Sequence, residues 1–231
     1  IGSSAAWAAG YTGAGSRIAI IDTGADVDHP SLDPDALKYA LQGSNATIMT
    51  EADLTDEVLN QLNAYTRKAG LTAADFYVNE KIPFGFNYVD ADTDITHDND
   101  TQGDHGSHVT GIAAGNRFVK DEAGNYVAAL DSVMTQGVAP DAQILTMKVF
   151  GKGGGAYDSD YMVAIEDAMV LGADAANLSL GGSFPGYSEY TEEKYRHILD
   201  EIVGSGMVVT TSAGNSGSWF DETAFGLPYA G

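Results

Sequence analysis

Three short segments of the sequence carry side chains able to do chemistry. The first, Ile18-Ala-Ile-Ile-Asp22-Thr-Gly24, sets a carboxylate at the end of an apolar run. A carboxylate in that place is costly unless a polar partner meets it. Taken alone, it is better read as a strand-ending Asp that caps a turn. The second, Asp104-His105-Gly106-Ser107-His108-Val-Thr-Gly111, opens on an imidazole followed by small residues, and Gly106 permits close approach of another backbone. A lone His of this kind is most simply a satisfied structural group. His105 and His108 stand at i and i+3, as two metal ligands on one helix face would, but no third ligand follows at a recognised spacing. The third, Thr211-Ser-Ala-Gly214-Asn215-Ser-Gly217, offers a side-chain amide that could donate to an oxyanion, although Asn among glycines is also an ordinary turn.

The elements that must position these residues are legible around them. Arg17–Asp22, Gln143–Val149, Ala175–Ser179 and Met207–Thr211 are short, largely apolar runs of the kind that form strands buried on both faces. Helical spacing lies between them. Asp158–Leu171 places Tyr161, Ile165, Ala168 and Met169 inward, with Ser159 as cap and Gly172 as stop. Thr191–Val203 turns Tyr195, Ile198, Leu199 and Ile202 inward and ends at Gly204, and His105–Ala114 is a helix of small residues. Strands alternating with helices predict an α/β fold with a parallel sheet, whose ligands bind beyond the carboxyl ends of the strands. Asp22, Ser179–Gly182 and Ser212–Asn215 all fall there.

Residues 35–97 interrupt the rhythm and read as an inserted helical segment on the main domain. Thr55–Ala69 has the pattern of one amphipathic helix, with Val58, Leu59, Leu62 and Tyr65 on a single face, and Thr72–Asp75 has a capping-box pattern.

Composition narrows the function classes. The 231 residues suit one domain with insertions, and the 44% of apolar residues suffice for a sizeable core. Eleven Lys and Arg against 33 Asp and Glu give a net charge of −22, a field that repels nucleic acid and anionic lipid. With no Cys, disulfides, thiol catalysis and Cys-ligated zinc are excluded. No apolar run approaches membrane-spanning length. The chain opens on Ile1 with no visible signal peptide, so its ends are expected to be processed or cut.

In this order, and on these strand ends, the three segments resemble the subtilisin-like (subtilase) family of serine peptidases. The resemblance extends to His29-Pro30, to Ile144–Gly155 and to Asn177-Leu-Ser-Leu-Gly-Gly182. It implies a three-layer α/β fold with a mostly parallel sheet flanked by helices, here incomplete at its C-terminal end. The chain would then be a partial catalytic domain over 1–231. The resemblance also implies roles. Asp22 orients an imidazole, His105 is the general base and then acid, Asn215 donates to the tetrahedral oxyanion, and His108 is structural. Gly153, Gly154 and Gly155 face Ser179, Leu180 and Gly181 as two edges that bond an extended peptide by strand addition, and Ser212, Ala213 and Gly214 wall the pocket for the residue before the scissile bond. The loop Gly151–Ala156 is one residue shorter than in compact family members.

The sequence departs from the family in two places. No Gly-Thr-Ser motif follows Asn215, and Ser107, Ser179, Ser212 and Ser216 stand where the family uses serine otherwise, so the nucleophile is absent from these residues. The distance between Asp22 and His105, the phrase Lys81-Ile-Pro-Phe-Gly-Phe-Asn-Tyr88 and the run 214–231 resemble the large bacterial cell-envelope subtilases, of the lactocepin and C5a peptidase kind. In those enzymes an inserted domain precedes the Ser. Truncation is therefore expected, with the rest of the catalytic domain as a partner, a protein or peptide substrate, and an extracellular or cell-surface location. Calcium is the second departure. Ser31 stands where compact members have an Asp, and Asp90-x-Asp92-x-Asp94 starts like an EF-hand loop but carries Ile95 in place of its Gly and no closing Glu. No cofactor is required for the chemistry, no metal ligands are assigned, and structural calcium has no recognisable motif. Carboxylates ahead of His105 would favour its protonated form and shift activity toward alkaline pH. Two other classes stay open: a non-catalytic peptide-binding pseudoprotease, and a metal-dependent hydrolase using His105 and His108.

Overall fold

A computed structural model describes residues 2–98, 100, 101, 103–181 and 189–214; side chains are described for these except 189–192. Its elements in chain order are α1 (Ser3–Ala8), β1 (Arg17–Asp22), α2 (Pro34–Ala40), α3 (Asp56–Leu59), α4 (Asn63–Arg67), α5 (Ala73–Phe76), β2 (Phe84–Asn87), α6 (His105–Ala114), β3 (Phe118–Lys120), β4 (Tyr126–Ala128), α7 (Ala129–Ser132), β5 (Gln143–Lys148), α8 (Asp158–Val170), β6 (Ala175–Leu178), α9 (Glu189–Ser205) and β7 (Val208–Thr211).

Five strands form one parallel sheet in the order β2-β5-β1-β6-β7. Alternation of side chains across each strand divides the core in two. Ala19 and Ile21 of β1, with Leu145 and Met147 of β5, pack against α8, α9 and the segment before β2. Ile20 and Ile144 point the other way, against Ala114 and the partly buried Val109 and Ala113 of α6. The fold is thus α/β in three layers, helices on each face of the sheet. All six residues of β5 are buried, which is why its pattern reads as a continuous run and not an alternating one.

The chain leaves β1 for the β5 side of the sheet, then crosses back to β6 and β7 on the other. β1 is therefore the point where the winding reverses, and in open parallel sheets a crevice opens beyond the carboxyl ends at such a point. In register, the strand ends there are Asn87, Lys148, Asp22, Leu178 and Thr211.

Several elements differ from the sequence reading. The expected helix over Thr55–Ala69 is two short ones, α3 and α4. Asn60 Nδ2 and Gln61 Nε2 turn back to the carbonyls of Asp56 (2.7 Å) and Glu57 (3.0 Å), and the chain restarts at Asn63 with Leu62 in extended conformation. Leu59 and Leu62 are nonetheless buried, as their spacing implies. In α8 the inward face is Met162, Ala164, Ile165 and Ala168, with Tyr161 and Met169 only partly buried. Its N-cap is Tyr157, without the side-chain bond expected of Ser159. Gly172 does end it, at φ 66°, through the paired bonds Ala173 N to Ala168 O (2.9 Å) and Gly172 N to Met169 O (3.0 Å). In α9, Ile198 and Ile202 face the core, whereas Leu199 is mostly exposed and the helix runs past Gly204 to Ser205. β2 lies within 35–97 yet forms an edge of the main sheet, held by Phe76 stacked on Phe84 (5.4 Å) and tilted against Phe86 (5.7 Å), and by Tyr88 edge-on to Phe86. The β3–β4 hairpin, packed on Tyr39 of α2, carried no mark in the sequence reading.

Candidate active site

Asp22 ends β1 with its side chain 1% exposed. Its Oδ1 accepts the Thr23 amide (2.7 Å) and lies 2.7 Å from Nδ1 of His105, the first residue of α6 and 83 positions away. Facing a carboxylate, Nδ1 carries the proton and Nε2 the lone pair. The His105 side chain is 51% exposed, so this imidazole joins a buried anion to open solvent. Such a ring can take a proton at Nε2, and the carboxylate stabilises the cation that forms.

The geometry follows from how closely α6 approaches the turn after β1. A Cβ on Gly106 would stand 2.1 Å from the carbonyl oxygen of Gly24, so only glycine fits there. That approach allows three ties. The Gly106 amide donates to Thr23 Oγ1 (2.8 Å), the Asp26 amide donates to Ser107 Oγ (2.7 Å), and His105 meets Asp22. The small residues of the second segment are thus a docking surface for the first.

Behind the turn lies a group absent from the sequence reading. Lys148, the partner of Asp22 in the β1–β5 register, has a side chain 2% exposed. Its Nζ donates to Thr23 O (2.5 Å) and to Asp100 Oδ2, whose side chain is equally buried. The signal was available: a Lys in an otherwise apolar buried strand requires an anion. The acidic loop before His105 is therefore partly inside the protein. Asp90, from the same loop, accepts the Lys152 amide (3.1 Å) and Asn87 Nδ2 (3.0 Å), which ties the loop to the glycine run after β5.

The other expected site residues follow strand ends of the same sheet. Gly153, Gly154 and Gly155 come after β5, with the Gly154 amide bonded to Gly151 O (3.0 Å). Ser179, Leu180 and Gly181 come after β6; Ser212, Ala213 and Gly214 come after β7. These last two segments meet. The Ser212 amide donates to Leu178 O (3.1 Å), Ser212 Oγ donates to Leu180 O, and a Cβ on Gly181 would contact Gly214 Cα at 3.4 Å. Asn215 lies outside the described residues. His108 is exposed on α6, bordering a depression shared with His29, His97, Ile112 and Val138. Among the described residues, no three His, Asp or Glu side chains converge as a metal site.

The protein is thus a parallel α/β fold with a buried carboxylate bonded to a half-exposed imidazole at its winding reversal, an arrangement able to move a proton, and comparison with known proteins says which family it belongs to. Residues 13–228 match the model of the subtilase family. The minor extracellular protease Vpr of Bacillus subtilis is 31% identical over 224 residues, 94% of this chain and 20% of that protein. The PI-type proteinase of Lactococcus lactis subsp. cremoris is 34% identical over 215 residues, 90% of this chain and 10% of its own length. The C5a peptidase of Streptococcus pyogenes is 29% identical over 217 residues, 93% of this chain and 16% of its own. The chain belongs to the subtilase family, and it spans a tenth to a fifth of the length of these relatives.

Proposed function

We propose that this chain is part of the catalytic domain of a serine endopeptidase that cleaves protein substrates. The contact that carries the reading is the 2.7 Å bond between His105 Nδ1 and Asp22 Oδ1, made across 83 residues at the winding reversal of the sheet. Asp22 fixes the tautomer and orientation of His105. His105 Nε2 removes the proton of a serine hydroxyl as that oxygen attacks the scissile carbonyl, then returns the proton to the leaving amine. None of the serines in this sequence stands in the family's Gly-Thr-Ser motif. The nucleophile is thus assigned to sequence beyond residue 231, and these 231 residues are inactive by themselves. Asn215 donates to the oxyanion. The substrate lies extended between Gly153–Gly155 and Ser179–Gly181, with its side chain against Ser212–Gly214. No cofactor takes part, and the enzyme acts outside the cell or at its surface.

The test is covalent. The full-length protein should react with a fluorophosphonate probe at a single serine, and His105→Ala should abolish the reaction. Asn215→Ala should lower kcat about a hundredfold or more with KM little changed, the loss known from subtilisin itself when such a donor is removed. A folded full-length protein that takes up no probe and cleaves no protein overturns the reading in favour of a peptide-binding module.

A further inference from the structure

A buried ion pair is weak evidence of stability, because desolvating both charges offsets their attraction. The Asp100–Lys148 pair therefore calls for a reason to exist, and its neighbours supply one. Lys148 Nζ donates to the carbonyl of Thr23. The amide of that residue donates to Asp22 Oδ1, and its hydroxyl accepts the amide of Gly106 at the start of α6. Thr23 thus touches both the strand that carries the carboxylate and the helix that carries the imidazole. Lys148 holds it from the far side, out of solvent. Asp100, on the segment that runs into His105, compensates the lysine charge and fixes where that segment begins its approach.

We propose that Asp100 and Lys148 are a positioning pair for the Asp22–His105 dyad: acting through Thr23, they set the distance and orientation at which the imidazole meets its carboxylate. This rests on the proteolytic reading above, and neither residue touches substrate. A pair that merely anchored the acidic loop would act on stability alone. A positioning pair also acts on the reaction and on the electrostatics at His105. Among the described residues Asp22 on β1 is in contact with that ring; Asp104 caps its helix and His108 lies one turn further on; Asp98 and Asp100 precede it in sequence, and Lys148 on β5 pairs with Asp100. Only the last pair is altered below.

The experiment uses the full-length protein as Asp100→Asn, Lys148→Met and the double variant. Three quantities are read: kcat and KM on a peptide substrate, the pH midpoint for modification of His105 by diethyl pyrocarbonate followed by peptide mass spectrometry, and the thermal midpoint. Each single variant should lose roughly tenfold to hundredfold in kcat with KM little changed, the scale of a small misplacement of reacting groups. Asp100→Asn removes the negative charge that compensates Lys148 and should move the His105 midpoint down. Lys148→Met removes a buried positive charge and should move it up. The double variant should restore the midpoint but not kcat, because the grip on Thr23 O is still missing. Asp100→Asn preserves shape, so it tests the idea even if Lys148→Met does not fold. An unmoved His105 midpoint in Asp100→Asn, or a kcat equal to that of the wild type, overturns the proposal. The modification midpoint needs no turnover, so a protein without peptidase activity would sink the proposed function while still testing the pair.

Discussion

Lys81 shows how much a single residue can hide. Its side chain is wholly buried, and Nζ donates to the carbonyls of Pro140 (2.9 Å) and Ala142 (2.8 Å), joining the start of β2 to the start of β5. Burial pushes its pKa down to about 7, against a weaker upward pull from Asp141. The unfolded chain keeps its lysine protonated up to about 10.5, so between about pH 7 and 10.5 the unfolded state binds more protons and stability rises with pH. Lys81→Met should flatten that slope, and denaturant midpoints of the two proteins across the interval would reveal it; parallel curves would refute the assignment. Asp22 and His105 were readable because each stands in a motif whose neighbours, Thr23-Gly24 and Gly106-Ser107, are small for a packing reason. Lys81 and Asp100 were not readable, because their partners come from distant segments and no spacing connects them; Lys148 in a buried strand called for an anion without saying which.

At the scale of elements, local signals held where local bonds decide the outcome. The capping box at Thr72 and Asp75 starts α5 as its pattern implies, with Asp75 Oδ2 bonded to both the amide and the hydroxyl of Thr72 (2.7 Å each). They failed where a distant group intrudes. The apolar face over Thr55–Ala69 is continuous, yet the helix breaks because Asp167 of α8 caps the start of α4. It accepts the amides of Asn63 (2.7 Å) and Ala64 (2.9 Å), Asn63 Nδ2 (3.0 Å) and the hydroxyl of Tyr88 (2.9 Å). Burial raises the pKa of this carboxyl, and the four donors oppose the shift. Arg67 adds a second tie to α8, through Asp160 (2.6 Å). Asp167→Ala would leave two helix-start amides and a buried hydroxyl unpaired, at a cost of about 3 kcal/mol. Hydrogen exchange over residues 56–67 should accelerate well before that of β1 or β5; exchange unchanged there would show that Arg67 and the apolar face suffice. The same logic explains why the sheet was legible except for β2. β1, β5 and β6 announce themselves by largely apolar runs, whereas Phe84-Gly-Phe-Asn87 is short, contains Gly, and becomes a strand by stacking on Phe76.

For the whole molecule, charge and apolar exposure pull in opposite directions. β7 pairs only with β6 among the described residues, its Val208 is 61% exposed, and α9, the helix before it, leaves Leu199 (57%) and Val203 (83%) open. A strand edge without a partner, with exposed apolar groups on the same chain, is a template for association. The net charge of −22 opposes it, since two copies repel across any distance shorter than the screening length. That length falls from about 30 Å at 0.01 M salt to about 3 Å at 1 M. Residues 1–231 expressed alone should therefore sediment as a monomer at low salt and as larger species at high salt, the reverse of what charge-pair association would give. Val208→Lys places a cation on the edge and removes a contact, so it should suppress the high-salt species, whereas a lysine in place of Met134, exposed far along the chain, should not. Sedimentation independent of salt, or equal suppression by both substitutions, would mean that the β7 edge is not the surface that associates.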